Sequence, residues 1–369
     1  MNVRLPRPLS ILVATVIVVT VAAALRVGVP IYRQQAAIAR IYRVGGVVGV
    51  KPGGPGWIRS SLNAVWVPLL DEVTVVNLQQ GMLTDADLAE LECFPRLEQL
   101  DLGFLPVTDA DLAILRKFPR LKQLDLSGTL VTDDGLVQLE HVSSLIELKL
   151  GQSGIGDAAL PHVAKLTHLR SLDLCRTKVT DGGLKQIAGM TGLESLDLSQ
   201  TGISGAGLEH LRALRDLKKL SLATAHVTGS GLSNLRTLAN LEEIHLDGSQ
   251  LTSEGVEHLI HLPRLRILYL LDKTNSDQAL VNLAALTTLE QLIIFDSDVT
   301  DAGLAHLKSY AGLKELYIEH ADIGDSGLQG LKSITGLNRL FLSDTKATTA
   351  GVFEIQRALP KCNVTVVTP

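Results

Sequence analysis

Residues 121–142 begin Leu121-Lys-Gln-Leu124-Asp-Leu126-Ser-Gly-Thr129-Leu-Val131-Thr-Asp133-Asp-Gly135-Leu136-Val-Gln-Leu139 and close on Val142. Phased on L-x-x-L-x-L, the same pattern starts at Val73, Leu97, Leu121, Leu145, Leu169, Leu193, Leu217, Leu241, Leu265, Leu289, Leu313 and Leu337. Each step is 24 residues, with no insertion. A fixed period of this length marks a solenoid, because one unit cannot bury its apolar face alone and must stack on its neighbours. Counting the first leucine as position 1, positions 1, 4 and 6 point inward along a short strand, and successive strands pair into one parallel sheet. Position 9 is often Thr or Ser (Thr129, Ser153, Thr177, Thr201), whose hydroxyl bonds backbone groups as the chain turns. Thr-Asp at positions 12 and 13 (Thr108-Asp109, Thr132-Asp133, Thr180-Asp181, Thr300-Asp301) supplies oxygens where a helix begins. Leucines at 16 and 19, with an apolar residue near 22, seat that helix on the sheet. The expected fold is α/β: a curved solenoid of twelve repeats over residues 73–360, with the sheet concave and short helices convex. Residues 361–369 supply a closing strand.

The L-x-x-L-x-L-x-x-T-x-V-T-D-x-G-L-x-x-L pattern resembles the cysteine-containing, F-box-associated type of leucine-rich repeat. More closely, it is similar to bacterial membrane-anchored leucine-rich-repeat proteins that carry this repeat behind a Trp-containing amino-terminal cap. The resemblance covers about residues 45 to 367. It implies an interaction platform. Residues 32–72 are too few for an F-box domain, so a ligase-receptor role does not carry over.

Ahead of the repeats, Pro8 to Leu25 contains no charged residue, with Arg4 and Arg7 before it and Arg26 after it. Leu9–Leu25 as a helix spans about 25 Å, and continuation to Ile31 with Arg26 snorkelling reaches the ~30 Å of a hydrocarbon core. Residues 1–31 therefore read as a single-pass membrane anchor, entering the bilayer through residues 9–31. The competing reading is a cleaved signal peptide, for which Ala22-Ala23-Ala24 fits the small-x-small rule and which gives a secreted or periplasmic protein. Both put the solenoid on the extracytoplasmic side. Flanking arginines on both sides leave a cytoplasmic solenoid as a minority alternative. Residues 32–72 form the linker and cap: a short helix over Gln34–Arg43, a strand at Val47, Val48 and Val50, the breaker run Lys51 to Gly56, and an apolar group. That group holds Trp57, Ile58, Leu62, Val65, Trp66, Val67, Leu69 and Leu70, placed to cover the first repeat. The glycines lack the Gly-Lys-Ser/Thr of a phosphate loop.

Charge is divided unevenly. Residues 1–70 hold eight basic residues and no acid, whereas the rest carries 26 basic against 39 acidic residues. An acidic body repels phosphate, so no nucleic-acid partner is expected. Cys93, Cys175 and Cys362 show no framework or zinc spacing and read as free thiols. His162, His210, His258 and His306 recur every 48 residues at position 18, too far apart to share a metal, and read as exposed helix positions. Asp101, Asp125, Asp173 and Asp197 share position 5 on the concave strands. Adjacent pairs stand near glycosidase spacing, but a flat sheet with no pocket offers nothing to raise one carboxyl. No catalytic residue, metal or cofactor is assigned, and the protein is not expected to be an enzyme.

Position 5 changes character along the array. It reads Asn77, Asp101, Asp125, Lys149, Asp173, Asp197, Ser221 and His245, then Tyr269, Ile293, Tyr317 and Phe341. With Ile267, Leu271 and Phe295 beside them, and Asp272, Asp296, Glu319, His320 and Asp344 around the edge, these predict an exposed apolar patch on repeats 9–12. The expected binding residues are Ile267, Tyr269, Leu271, Ile293, Phe295, Tyr317, His320 and Phe341, and the expected partner a protein or peptide, basic in part. A self-associating structural protein of the cell envelope is the alternative, and the oligomeric state is open.

Overall fold

The computed structural model describes residues 28–54, 56–61, 67–78, 85–247, 252–271, 276–310 and 312–367. One sheet of fourteen strands runs through it in sequence order. It comprises β1 (Val47–Lys51), β2 (Glu72–Asn77), β3 (Gln99–Asp101), β4 (Gln123–Asp125), β5 (Glu147–Lys149), β6 (Ser171–Asp173) and β7 (Ser195–Asp197). Then come β8 (Lys219–Ser221), β9 (Glu243–Asp247), β10 (Ile267–Leu271), β11 (Gln291–Phe295), β12 (Glu315–Glu319), β13 (Arg339–Ser343) and β14 (Asn363–Val367). β1 pairs antiparallel with β2 and all later neighbours are parallel. From β2 to β13 register partners differ by 24 residues, as in Leu100↔Leu124 and Leu292↔Leu316. The strands stack at the period of the sequence.

The quoted repeat shows why. Leu121, Leu124, Leu126, Val131, Leu136, Leu139 and Val142 are all buried, and they join one continuous core with their counterparts above and below. At position 9 the hydroxyls of Thr129, Thr177 and Thr201 each donate to the carbonyl three residues back, at 2.6 Å. Position 8 takes a left-handed backbone at Phe104, Gly128, Gln152, Arg176, Gln200, Thr224, Asp296, His320 and Asp344. That turn swings the chain off the sheet. The convex segments are short, many of them 3-10 turns, so packing holds them rather than helix propensity.

The Thr-Asp pair does more than start a helix. Thr180 accepts from the Gly182 N–H at 3.3 Å as a helix cap should. The aspartate instead reaches forward into the next repeat. Asp109 accepts from the N–H and hydroxyl of Thr132 at 2.7 and 2.6 Å, Asp157 does the same with Thr180, and Asp325 with Thr348 at 2.8 and 2.7 Å. The glycine at position 15 makes room for it. A Cβ on Gly183 would lie 2.5 Å from the Asp157 carboxylate, and one on Gly351 2.1 Å from that of Asp325. T-D-x-G is thus a strap between repeats. The aspartate is missing from position 13 at Gly205, Gly229 and Ser253, and in the last repeat at Thr349.

The cap differs from expectation. Helix α1 (Val29–Arg43) begins earlier than Gln34, with Pro30 in the first turn, where no N–H is needed. Its Ala37 and Ile41 are buried, and a Cβ on Gly46 would fall 2.7 Å from Ile41 and 2.8 Å from Leu78. α1 and β1 therefore cover the first repeat. Trp57, expected in that cover, is 72% exposed, because α1 already occupies the apolar end. Trp66, Leu62 and Val65 lie outside the described residues. Arg40–Glu90 at 2.7 Å, Lys51–Glu98 at 2.9 Å and Arg59–Asp71 at 2.6 Å pin the cap in place. The uncharged run Pro8–Leu25 and the Ala22–Ala24 motif also fall outside the described residues. Among those described, no helix is long and apolar enough to cross a membrane.

Candidate binding face

Strand alternation fixes which side chains reach the concave surface. Leu268 and Leu270, at positions 4 and 6, are fully buried, so positions 3, 5 and 7 face outward. Tyr269, Ile293, Tyr317 and Phe341 are successive register partners. They form a row roughly 15 Å long at ~4.8 Å per strand. The sequence predicts an exposed row, but all four are half-buried, because neighbours shield one another. The Tyr317 and Phe341 rings sit 6.0 Å apart. The Tyr317 hydroxyl donates to Glu315 at 2.7 Å and accepts from Arg339 at 3.0 Å.

The other predicted residues frame this row. Ile267 is half-buried at position 3, and Phe295 is 39% exposed at position 7. Leu271 belongs to β10, but its side chain and Asp272 lie outside the described residues. His320 is not on the sheet. It occupies the left-handed position 8, exposed at the rim, edge-on to Phe295 at 5.6 Å and 3.3 Å from the Asp344 carboxylate.

Sequence reading stopped the patch one strand too early. The His245 ring stacks on Tyr269 at 3.9 Å, so β9 belongs to the same surface. Behind it the nearly buried Glu243 takes His245 at 2.9 Å and Lys219 at 2.8 Å. The bond to His245 holds the Glu243 carboxyl below its ordinary value, against burial, and Lys219 assists. The signal was present in the sequence: His245 stands in the same column as Tyr269, one period away.

Beyond β8 toward the amino terminus the face is acidic and is built differently. Asp101, Asp125, Asp173 and Asp197 each accept a bond from the N–H two residues on, at Gly103, Ser127, Cys175 and Ser199, over 2.8–3.0 Å. The bond takes the N–H of position 7 into a side-chain turn, and β3, β4, β6 and β7 end at their aspartates. β5 and β8 end at the same position with Lys149 and Ser221 there, and from β9 onward the strands run five residues. The expectation of a flat acidic row needs correction. A depression of about 150 Å³ lies over Asn77, Gln99, Asp101, Gln123, Asp125, Glu147 and Lys149. Burial raises the carboxyls of Asp101 and Asp173 above their ordinary value. These groups are nevertheless engaged: Asn77 donates to Asp101 at 2.7 Å, and Lys149 lies 3.6 Å from Asp125. Burial also pushes the Cys175 thiol up to about 11. Among the described residues no group of three or more His, Cys, Asp or Glu is placed to hold a metal.

A parallel sheet stacked at 24 residues, with one face of leucines and one presented outward, has a matching family. The leucine-rich repeat region family covers residues 133–326, more than half of the sequence. The chain belongs to the leucine-rich-repeat family. Among solved structures, this leucine-rich-repeat protein aligns with a TLR13 chain from a TLR13–ssRNA13 complex at 16% identity and a TM-score of 0.54. The match covers 81% of this chain and 48% of that one, so the chain spans about half the TLR13 length. An internalin (InlF) of Listeria monocytogenes aligns at 21% identity, covering 78% of this chain and 89% of its own, with a TM-score of 0.47. A leucine-rich-repeat protein of Leptospira interrogans aligns at 18% identity over 74% of each chain, with a TM-score of 0.45. No curated protein matches significantly. The TLR13 likeness shows the fold alone.

Proposed function

We propose that this is a non-catalytic, membrane-anchored protein-binding module whose site is the concave face over β9–β13. Leucine-rich-repeat proteins generally mediate protein binding, and the observation that carries the reading here is the in-register row Tyr269–Ile293–Tyr317–Phe341. Partly exposed aromatics in a contiguous apolar strip, with polar groups at the edge, have the make-up of an interface centre. Asp296, His320 and Asp344 on the rim favour a partner that is basic in part. The TLR13 structure holds single-stranded RNA. In this chain the acidic row and the excess of acids after residue 70 oppose phosphate, and a protein or peptide is the partner we assign. The anchor is the uncharged run Pro8–Leu25, with the solenoid on the extracytoplasmic side.

The test is photo-crosslinking in the native host, with p-benzoylphenylalanine in place of Phe341 and, as a convex control, of Val137, which is exposed. A protein adduct from position 341 and none from 137 is expected. An adduct consisting of a second copy of this chain favours the self-associating reading, and a nuclease-sensitive adduct replaces protein by RNA. Equal adducts from both faces overturn the assignment. Membrane fractions washed with carbonate should retain the full chain, whereas a soluble form starting near Leu25 shows a cleaved signal peptide.

A further inference from the structure

The amino-terminal end carries a second exposed surface. α1 buries Ala37 and Ile41 along one side and leaves a flank of the helix exposed. At helical spacing that flank carries Tyr32, Arg43, Ala36 and Val29, bounded by Arg33, which stands one turn before Ala37 but is itself exposed. Tyr32 is 75% exposed, and Tyr42, on its flank, 56%. Arg33 and Arg43 are exposed and enter no ion pair among the described residues. From Gly28 to Leu70 the sequence has no acid at all. Below the helix a groove of about 720 Å³ runs between Val29–Ala36 and Ala89–Pro95. The acids on its far wall are already matched, Glu90 by Arg40 at 2.7 Å and Glu92 by Lys117 at 3.5 Å. A helix face combining exposed aromatic and aliphatic side chains with uncompensated arginines has the composition of a segment lying in a bilayer interface.

The position in the chain agrees. Val29 follows Leu25, the end of the uncharged run, by four residues. Even fully extended, four residues span only about 14 Å. If the run is in the bilayer, the first turn of α1 is at or beside the headgroups, whose layer is several ångströms deep.

We propose that the exposed face of α1 docks on an anionic lipid surface, with Arg33 and Arg43 on phosphates and Val29 and Tyr32 in the headgroup–acyl boundary. The placement rests in part on the anchor reading, but the surface itself is complete without it. Docking of this face fixes the cap, and through its ion pairs the first repeats, against the bilayer instead of leaving the solenoid on a free tether.

The experiment uses the full chain in vesicles of phosphatidylcholine, alone or mixed with phosphatidylglycerol, with bromine on the acyl chains. Tyr32→Trp, in a background of Trp57→Phe and Trp66→Phe, makes position 32 the sole reporter. Quenching of its fluorescence is expected in the phosphatidylglycerol mixture and should weaken in high salt. Arg33→Gln with Arg43→Gln should lower the docked-to-free ratio roughly 25-fold, about fivefold per arginine. Arg33→Lys with Arg43→Lys should restore most of it, since charge is the lever. Equal quenching in both lipids, or none, overturns the proposal. Carbonate washing separates the two readings. Protein retained but unquenched leaves the anchor and removes the docking. Protein stripped by carbonate, yet quenched in a salt-sensitive way before washing, does the reverse.

Discussion

The carboxylate of Asp157 accepts two hydrogen bonds from Thr180, one from its N–H at 2.7 Å and one from its hydroxyl at 2.6 Å. The two residues are 23 apart in sequence and belong to consecutive repeats. Asp157→Ala leaves the N–H and hydroxyl of Thr180 without this acceptor and should cost about 1–2 kcal/mol, given the partial exposure of the site. Gly183→Ala drives a methyl into the same carboxylate and should cost more than the ~1 kcal/mol typical of a point mutation. In the double mutant the carboxylate part of the clash is gone and only the contacts with Leu160 at 2.8 Å and Val179 at 3.1 Å are left. Chemical denaturation of all four proteins should therefore give a coupling energy of 1 kcal/mol or more, and strict additivity is the result that refutes the strap.

Leu172, buried at position 4 of β6, tests the core. Leu172→Ala should lose about 2–5 kcal/mol through lost burial and the cavity left behind. Each repeat touches only its neighbours, so the unfolding transition should also broaden or split. A cost well below 1 kcal/mol contradicts the inward register.

Two carboxyls of the concave face should respond to acid in opposite directions. Glu243 lies below its ordinary value of 4.5, so it stabilises the fold fully above that pH and the contribution is lost as pH falls through its lowered folded value. Glu243→Gln should remove that part of the acid slope. Asp173 is raised above 3.8 by burial, so ionising it works against the fold above its folded pKa and the penalty is relieved as pH falls. Asp173→Asn keeps an oxygen for the Cys175 N–H and should stabilise at pH 7 but not near pH 3. Urea midpoints across pH 3–7 read both, and parallel curves for the two mutants contradict the assignment.

On the apolar row, Phe341→Ala should cost about 1 kcal/mol or less in stability, because the ring is only half-buried. Binding of the partner identified by crosslinking should fall by about 2 kcal/mol if the ring is an anchor. Tyr317 is the less clean position, since its hydroxyl joins Glu315 to Arg339. Asp125→Asn is the matched control: it preserves the turn to Ser127 while removing charge, and binding should change little. Calorimetric titration showing equal affinity for Phe341→Ala and wild type excludes the row as the site.

The 24-residue phase made the fold readable, because leucines at positions 1, 4 and 6 fix both the strand and its inward face. The destination of Asp157 was not readable, since a helix-capping rule looks along one helix and the bond crosses to the next repeat. Trp57 misled for a related reason. Composition shows that an apolar cap is needed, but not that α1 reaches the end first. The binding row followed from one column, Tyr269 to Phe341. How far those rings shield each other, and that His245 joins them, depends on contacts across strands that no linear pattern contains.

The absence of the aspartate strap at Gly205, Gly229 and Ser253 has a mechanical consequence. A stack of repeats bends by opening or closing the spacing on its convex side, and each strap resists that opening. Straps brace the array from Asp109 to Ser204 and again from Asp277 to Thr348, and the three junctions between these spans have no aspartate at position 13; at one of them the backbones approach so closely that a Cβ on Gly231 would meet Gly205 at 2.5 Å. These junctions lie behind β7 to β10, where the concave surface passes from aspartates to aromatics. The inter-repeat bonding therefore changes at the place where the acidic half meets the apolar one, with close backbone contact at Gly205 and Gly231 in place of a carboxylate bond.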